Sequence, residues 1–114
     1  MIAVIFEVWP DGEDGRTEYL DIAAGLRPEL AKVDGFISVE RFSSLTEPGK
    51  MLSLSFWRDE EAVKTWRGQD NHRMAQAKGR GGVFRNYRLR VAHVLRDYGL
   101  DERREQAPEE FRNR

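Results

Sequence analysis

The sequence contains no cysteine. That excludes disulfides, thiolate catalysis and cysteine-ligated zinc or iron–sulfur clusters, and it leaves His72 and His93 as the only histidines. These two fall in different elements without an acidic pair beside them, so no metal site is expected. No apolar run approaches the ~20 residues of a bilayer span. The longest near the start, MIAVIFEVW, lacks a basic lead and a small-residue cleavage site, so a soluble, cytoplasmic protein with no membrane partner is expected. Also missing are a phosphate-binding glycine loop, a nucleophile with a paired base and a carboxylate dyad in an apolar setting. Kinase, hydrolase and glycosidase readings therefore have no support. No internal repeat is present.

What is there is globular. Of the 114 residues, 39% are hydrophobic and 34% charged, enough apolar material for one domain with a real core. The net charge of −1 conceals an uneven distribution. Residues 1–60 carry six Lys/Arg against twelve Asp/Glu, whereas residues 61–96 carry nine against two. A basic block of this kind attracts an anion, or it meets the acidic half of its own fold or of a partner copy.

Hydrophobic periodicity supplies the element order. In MIAVIFEVWP, Ile2, Val4, Phe6 and Val8 fall on one face of a strand that Pro10 and DGEDG end. From Thr17, read as a helix cap, Tyr19, Ile22, Ala23, Leu26, Leu30 and Val33 recur at helical spacing, with a kink or restart at Pro28 and a stop at Gly35. FISVERFSSL and MLSLSFW form an antiparallel pair around TEPGK. Asp59, followed by Glu60 and Glu61, caps a second helix with Ala62, Val63 and Trp66 inward. Gly68 interrupts it, and Asp70 or Asn71 can cap a further segment before KGRGG. The last strand alternates Tyr87, Leu89, Val91, His93 and Leu95 against Arg88, Arg90, Ala92, Val94 and Arg96.

The order β-α-β-β-α-β is the α+β, ferredoxin-like arrangement: an antiparallel sheet with helices on one face. The domain is expected over residues 1–97, followed by a charged tail over 98–114 that is a mobile end or an arm over a partner. The face away from the helices would hold Ala3, Ile5, Trp9, Val94 and either Ile37 or Val39. That surface is too apolar to leave wet, so a homodimer with its sheets packed face to face is expected. RNA is the rival partner for an open ferredoxin-like sheet. It requires central aromatics that YRLRVAHV does not have, and no nucleic acid is expected.

VDGFISVERF, SLSFWRDEEAVKTW and NHRMAQ together resemble the antibiotic biosynthesis monooxygenase family of small dimeric ferredoxin-like proteins, over about residues 2–96. The resemblance implies a pocket between sheet and helices, and several activities. In the heme-degrading members a first-strand asparagine, a helical tryptophan and a histidine about ten residues further on form the site. Trp66 matches the tryptophan, Gln76 stands at the histidine position, His72 lies one turn earlier, and Ile5 or Glu7 replaces the asparagine. Heme thus remains an alternative cofactor, as does a non-catalytic ligand-binding dimer. In the cofactor-independent members a small aromatic or quinol-type substrate passes an electron to O₂ once deprotonated. Trp66 would then stack on the ring and donate its N–H, His72 would take the proton or hold the anion, and Arg80 would place charge at the mouth. Phe6, Phe36 and Gln76 complete the expected substrate-binding set.

Each of these residues also has a plainer reading. Trp66 has the spacing of core packing, Trp57 that of a packing residue, His72 that of a surface group near a helix start, and His93 that of a hydrogen-bonded core histidine. Arg88, Arg90 and Arg96 fit ion pairs with the acidic half.

Overall fold

The computed structural model describes residues 1–68 and 83–102. Five elements have complete bounds: β1 (Ile2–Pro10), α1 (Gly12–Leu30), β2 (Phe36–Ser43), β3 (Met51–Trp57) and β4 (Phe84–His93). A further helix, α2, precedes β4 and is described over residues 60–68. The sheet is antiparallel in the order β2-β3-β1-β4, the ferredoxin-like arrangement that the element order implies.

Register decides which residues meet the helices. Phe6 pairs with Ser53 of β3 and Leu89 of β4, and Val4 pairs with Ser55 and Val91. Directly opposed residues share a face, so Ile2, Val4, Phe6 and Val8 stand with the serines of β3 beneath the helices. Ile2 joins Leu30, Trp57, Ala62 and Val63 in one core cluster, and Val8 joins Tyr19, Met51 and Val83 in a second. The α1 stripe Tyr19, Ala23, Leu26, Leu30 is buried along its length.

β3 inverts the usual expectation for an alternating strand. Ser53 and Ser55, at 9% and 8% exposure, face the helices, while Leu52, Leu54 and Phe56 stand on the opposite face, half-buried. The Trp57 indole N–H donates to Ser55 Oγ at 2.9 Å, which satisfies both buried polar groups within one strand.

Several local expectations are corrected. The helix begins at Gly12, not near Thr17. DGEDG is its first turn, with Glu13 and Asp14 at the N-terminus where their charge suits the helix dipole, and Gly15 N–H returns to Asp11 O at 3.1 Å. Gly15 is required there, since a Cβ would lie 2.7 Å from the Val83 carbonyl oxygen. Pro28 does not restart the helix: it lies in the last turn of one continuous 19-residue segment. The final strand stops at His93, leaving Leu95 84% exposed, and His93 itself is exposed at the strand end and not in the core. Val39 pairs with Ser55 and so faces the helices, because β2 carries an irregularity between Phe36 and Ser38. Ile37, at that irregularity, is 52% exposed.

Other expectations hold. Asp59 caps α2, its Oδ1 accepting from Ala62 N–H at 3.0 Å. That bond, more than the Arg58 guanidinium beside it, holds the Asp59 carboxyl below its ordinary pKa. Gly35 has φ of 94°, and a Cβ there would lie 2.8 Å from Ala62 Cβ, so only glycine brings this corner against α2. Arg58 spans the same corner with two 3.1 Å bonds to the Asp34 carboxylate. Arg90 meets the acidic first half as expected, donating to Glu7 at 2.7 Å. Together with Lys50 at 3.1 Å it lowers the Glu7 pKa.

Candidate functional site

The two core clusters do not merge. Between them, under α1 and α2, lies a cavity of ≈ 530 Å³. Its floor is the helix-facing side of the sheet, including Val4, Phe6, Val39, Ser53, Ser55 and Leu89, and its roof comes from α1 and from Val63 and Trp66 of α2. Serine is what opens it: hydroxymethyl groups at 53 and 55 leave unfilled the space that larger side chains would take in a closed core.

Aromatic rings define one end. Phe6 lies 6.4 Å from Tyr19, 5.7 Å from Phe84 and 5.6 Å from Tyr87, centroid to centroid, and Tyr19 lies 5.5 Å from Phe84, edge-on. Such tilted and edge-to-face pairs fix ring orientation. At the other end stand Trp57 and the half-buried Trp66.

Of the residues expected from sequence, Phe6 and Trp66 line the cavity. Phe36 is not among its lining residues; the β2 irregularity keeps it beside Trp57, edge-on at 5.3 Å, in the neighbouring core cluster. His72, Gln76 and Arg80 lie outside the described residues. Among the described residues no three His, Asp or Glu side chains gather as metal ligands, and no helix is long and apolar enough to cross a membrane.

Sequence reasoning missed the charged lining. Arg27, Arg41, Arg67 and Arg85 border the cavity, and among the described residues no Asp or Glu does. Arg41 reaches deepest: it is half-buried, its Nε donates to Tyr19 Oη at 3.4 Å, and its guanidinium carbon lies 5.8 Å from the Tyr19 ring centroid. The available signal was its pairing with Ser53 across β2 and β3, which puts it on the cavity face. The site thus combines, among the described residues, an apolar, ring-lined chamber with the positive charge of four arginines. Such a chamber holds a ring, stabilises an anion formed on it and excludes water.

A ferredoxin-like sheet with a hollow between it and its helices defines a class of small α+β proteins. Comparison with known proteins narrows the class. The family model described as antibiotic biosynthesis monooxygenase matches residues 1–78. "Jasmonate monooxygenase ABM" of Pyricularia oryzae is 55% identical over 94 residues, 82% of this chain, although the chain spans only 43% of that protein's length. The protein YqjZ of Bacillus subtilis is 33% identical over 94 residues, 82% of this chain and 79% of its own. Among solved structures, SnoaB of Streptomyces nogalater, described as a cofactor-independent oxygenase, superposes with a TM-score of 0.67 at 11% identity, covering 84% of this chain and 94% of that one. The chain belongs to the antibiotic biosynthesis monooxygenase family.

Proposed function

We propose that this chain is a monooxygenase, that the cavity beneath α1 and α2 is where oxygenation takes place, and that no cofactor takes part. The observation that carries the reading is the ≈ 530 Å³ hollow lined by Phe6, Tyr19, Tyr87 and Trp66, with arginine as the only charged residue type among its described lining. Family membership and the names of the Pyricularia and Streptomyces proteins support it. The substrate is a small ring-bearing molecule, aromatic, quinol-type or otherwise able to lose a proton to an electron-rich anion. An activated CH₂ then becomes C=O while dioxygen gives one atom to the product and the other to water, so the substrate supplies all the electrons. The protein seats the ring against Trp66 and Phe6, favours the anion through its arginine charge, and keeps water out. His72 keeps, within this proposal, the proton-accepting role assigned from the sequence, with Gln76 and Arg80 as further pocket residues. Jasmonate is the first substrate to try, given the name of the Pyricularia relative. Incubated with jasmonate under isotopically labelled dioxygen, the purified protein should consume oxygen and yield a product carrying one labelled atom. Oxygen uptake no faster than in buffer, across a panel of ring-bearing substrates, would remove the reading.

The far face of the sheet supports a second part of the proposal. Ile5, Leu52, Leu54 and Phe56 lie side by side there by register, an apolar patch bordered by Glu7, Glu40, Arg88 and Arg90. Two copies packed through this face would bury it. Sedimentation should give twice the 13.3 kDa of one chain, and a 13.3 kDa species at all concentrations would contradict the pairing.

A further inference from the structure

Arg41 is held in place by a group that cannot neutralise it. The Tyr19 hydroxyl accepts from Nε at 3.4 Å, and no carboxylate among the described residues pairs with this guanidinium. Its two terminal amino groups, four N–H donors on a residue that lines the cavity, therefore have no acceptor among the described residues. A half-buried guanidinium loses part of its hydration, and that loss is made good only by an acceptor supplied from elsewhere. The surroundings suit an anion. Tyr19, 5% exposed, accepts from Arg41 and retains its own O–H to donate. Ser53, directly opposite Arg41 in the sheet, adds a second hydroxyl and makes no side-chain hydrogen bond to any described residue. The other arginines of the lining, Arg27, Arg67 and Arg85, are exposed around it.

We infer that Arg41, with the hydroxyls of Tyr19 and Ser53, is a carboxylate-binding end of the cavity, and that the molecule held there is a small monocarboxylic acid with an apolar body. The planar fork of a guanidinium matches the two oxygens of a carboxylate in a bidentate pair. The rest of the chamber fixes the orientation. Ser53 and Trp57 are four positions apart on β3, about 13 Å at the rise of a strand. The acid group therefore sits near Ser53, and the hydrocarbon body runs toward Leu30, Val63 and Trp66. The exposed arginines draw the anion in and lose that effect as salt screens them, whereas the Arg41 pair, out of bulk water, is screened less. The inference rests on the cavity being the substrate site and narrows the substrate to an acid.

The test uses binding, so that it stands apart from turnover. Jasmonic acid and decanoic acid, each against its own methyl ester, are titrated into the full chain at neutral pH and followed by calorimetry. The wild type should bind each acid roughly tenfold or more tightly than its ester. Arg41→Met should erase that preference while leaving ester affinity within about threefold, which shows in the same experiment that the chamber is intact. Arg41→Lys keeps the charge but loses the fork, and should retain only a minor part of the preference. Equal binding of acid and ester by the wild type, binding of neither acid, or an unchanged preference in Arg41→Met would each overturn the assignment. The oxygenase reading fails separately, by an acid that binds without any oxygen being consumed.

Discussion

Replacing Trp57 with alanine is expected to destabilise the fold by about 3–5 kcal/mol, the range for deleting a large buried aromatic. Trp57 is 2% exposed and touches three parts of the structure at once. Its ring lies edge-on to Phe36 at 5.3 Å, its body packs with Ile2, Leu30, Ala62 and Val63, and its N–H is held by Ser55. Alanine would leave a void continuous with the cavity, and Ser55 would lose its donor. Collapse cannot easily fill the gap, because the sheet is fixed by pairing on both sides of β3. Against the 5–15 kcal/mol of a typical domain this is a large share, and the melting temperature should drop by roughly 10–25 °C. Trp57→Phe separates the contributions: it keeps most of the volume and loses the indole bond, and should cost about 1–2 kcal/mol. Urea denaturation of the three proteins at one concentration measures both. Similar midpoints for all three would mean that the Trp57 end of the core carries little of the stability.

The fold was legible because its signals are local. The alternation of Ile2, Val4, Phe6 and Val8, the helical spacing from Tyr19 to Leu30 and the Asp59 cap each declare an element within a few residues. The site was legible only where it rides on those signals, as Phe6 and Trp66 do. Arg41 was missed for a reason that lies in register. Strict alternation in FISVERFS places Phe36 with Ser38 and Glu40. The irregularity after Phe36 instead groups Phe36 with Val39 and Arg41 on the helix side, and no single-strand pattern announces such a shift. The β3 serines carry no local signal of the site either. MLSLSFW reads as leucines in and serines out, which holds for a sheet with one wet face. Here the leucines of β3 stand on the far face beside the Glu7–Arg90 pair, and the small polar residues mark the floor of a hollow. The start of α1 was placed late because DGEDG has turn composition, and what makes it helical is the distant anchoring of Asp11 N–H on Val83 O at 3.0 Å.

The largest functional effect should come from filling the hollow. Ser53 sits at the centre of its floor, opposite Phe6 on one side and Arg41 on the other. A phenylalanine there would project into space now empty, so it should disturb the fold far less than the same change in a closed core, where overpacking costs about 1–3 kcal/mol. Its ring would occupy the place where the substrate must lie. Displacing a bound reactant by even an ångström costs on the order of a hundredfold in rate, and Ser53→Phe should lose at least about that much. Oxygen consumption on adding jasmonate, wild type beside Ser53→Phe, is the most direct measurement of whether chemistry happens in this chamber. The account predicts steady uptake by the wild type and none above buffer in a variant whose melting temperature is nearly unchanged. A well-folded Ser53→Phe protein that consumes oxygen as fast as the wild type would contradict it.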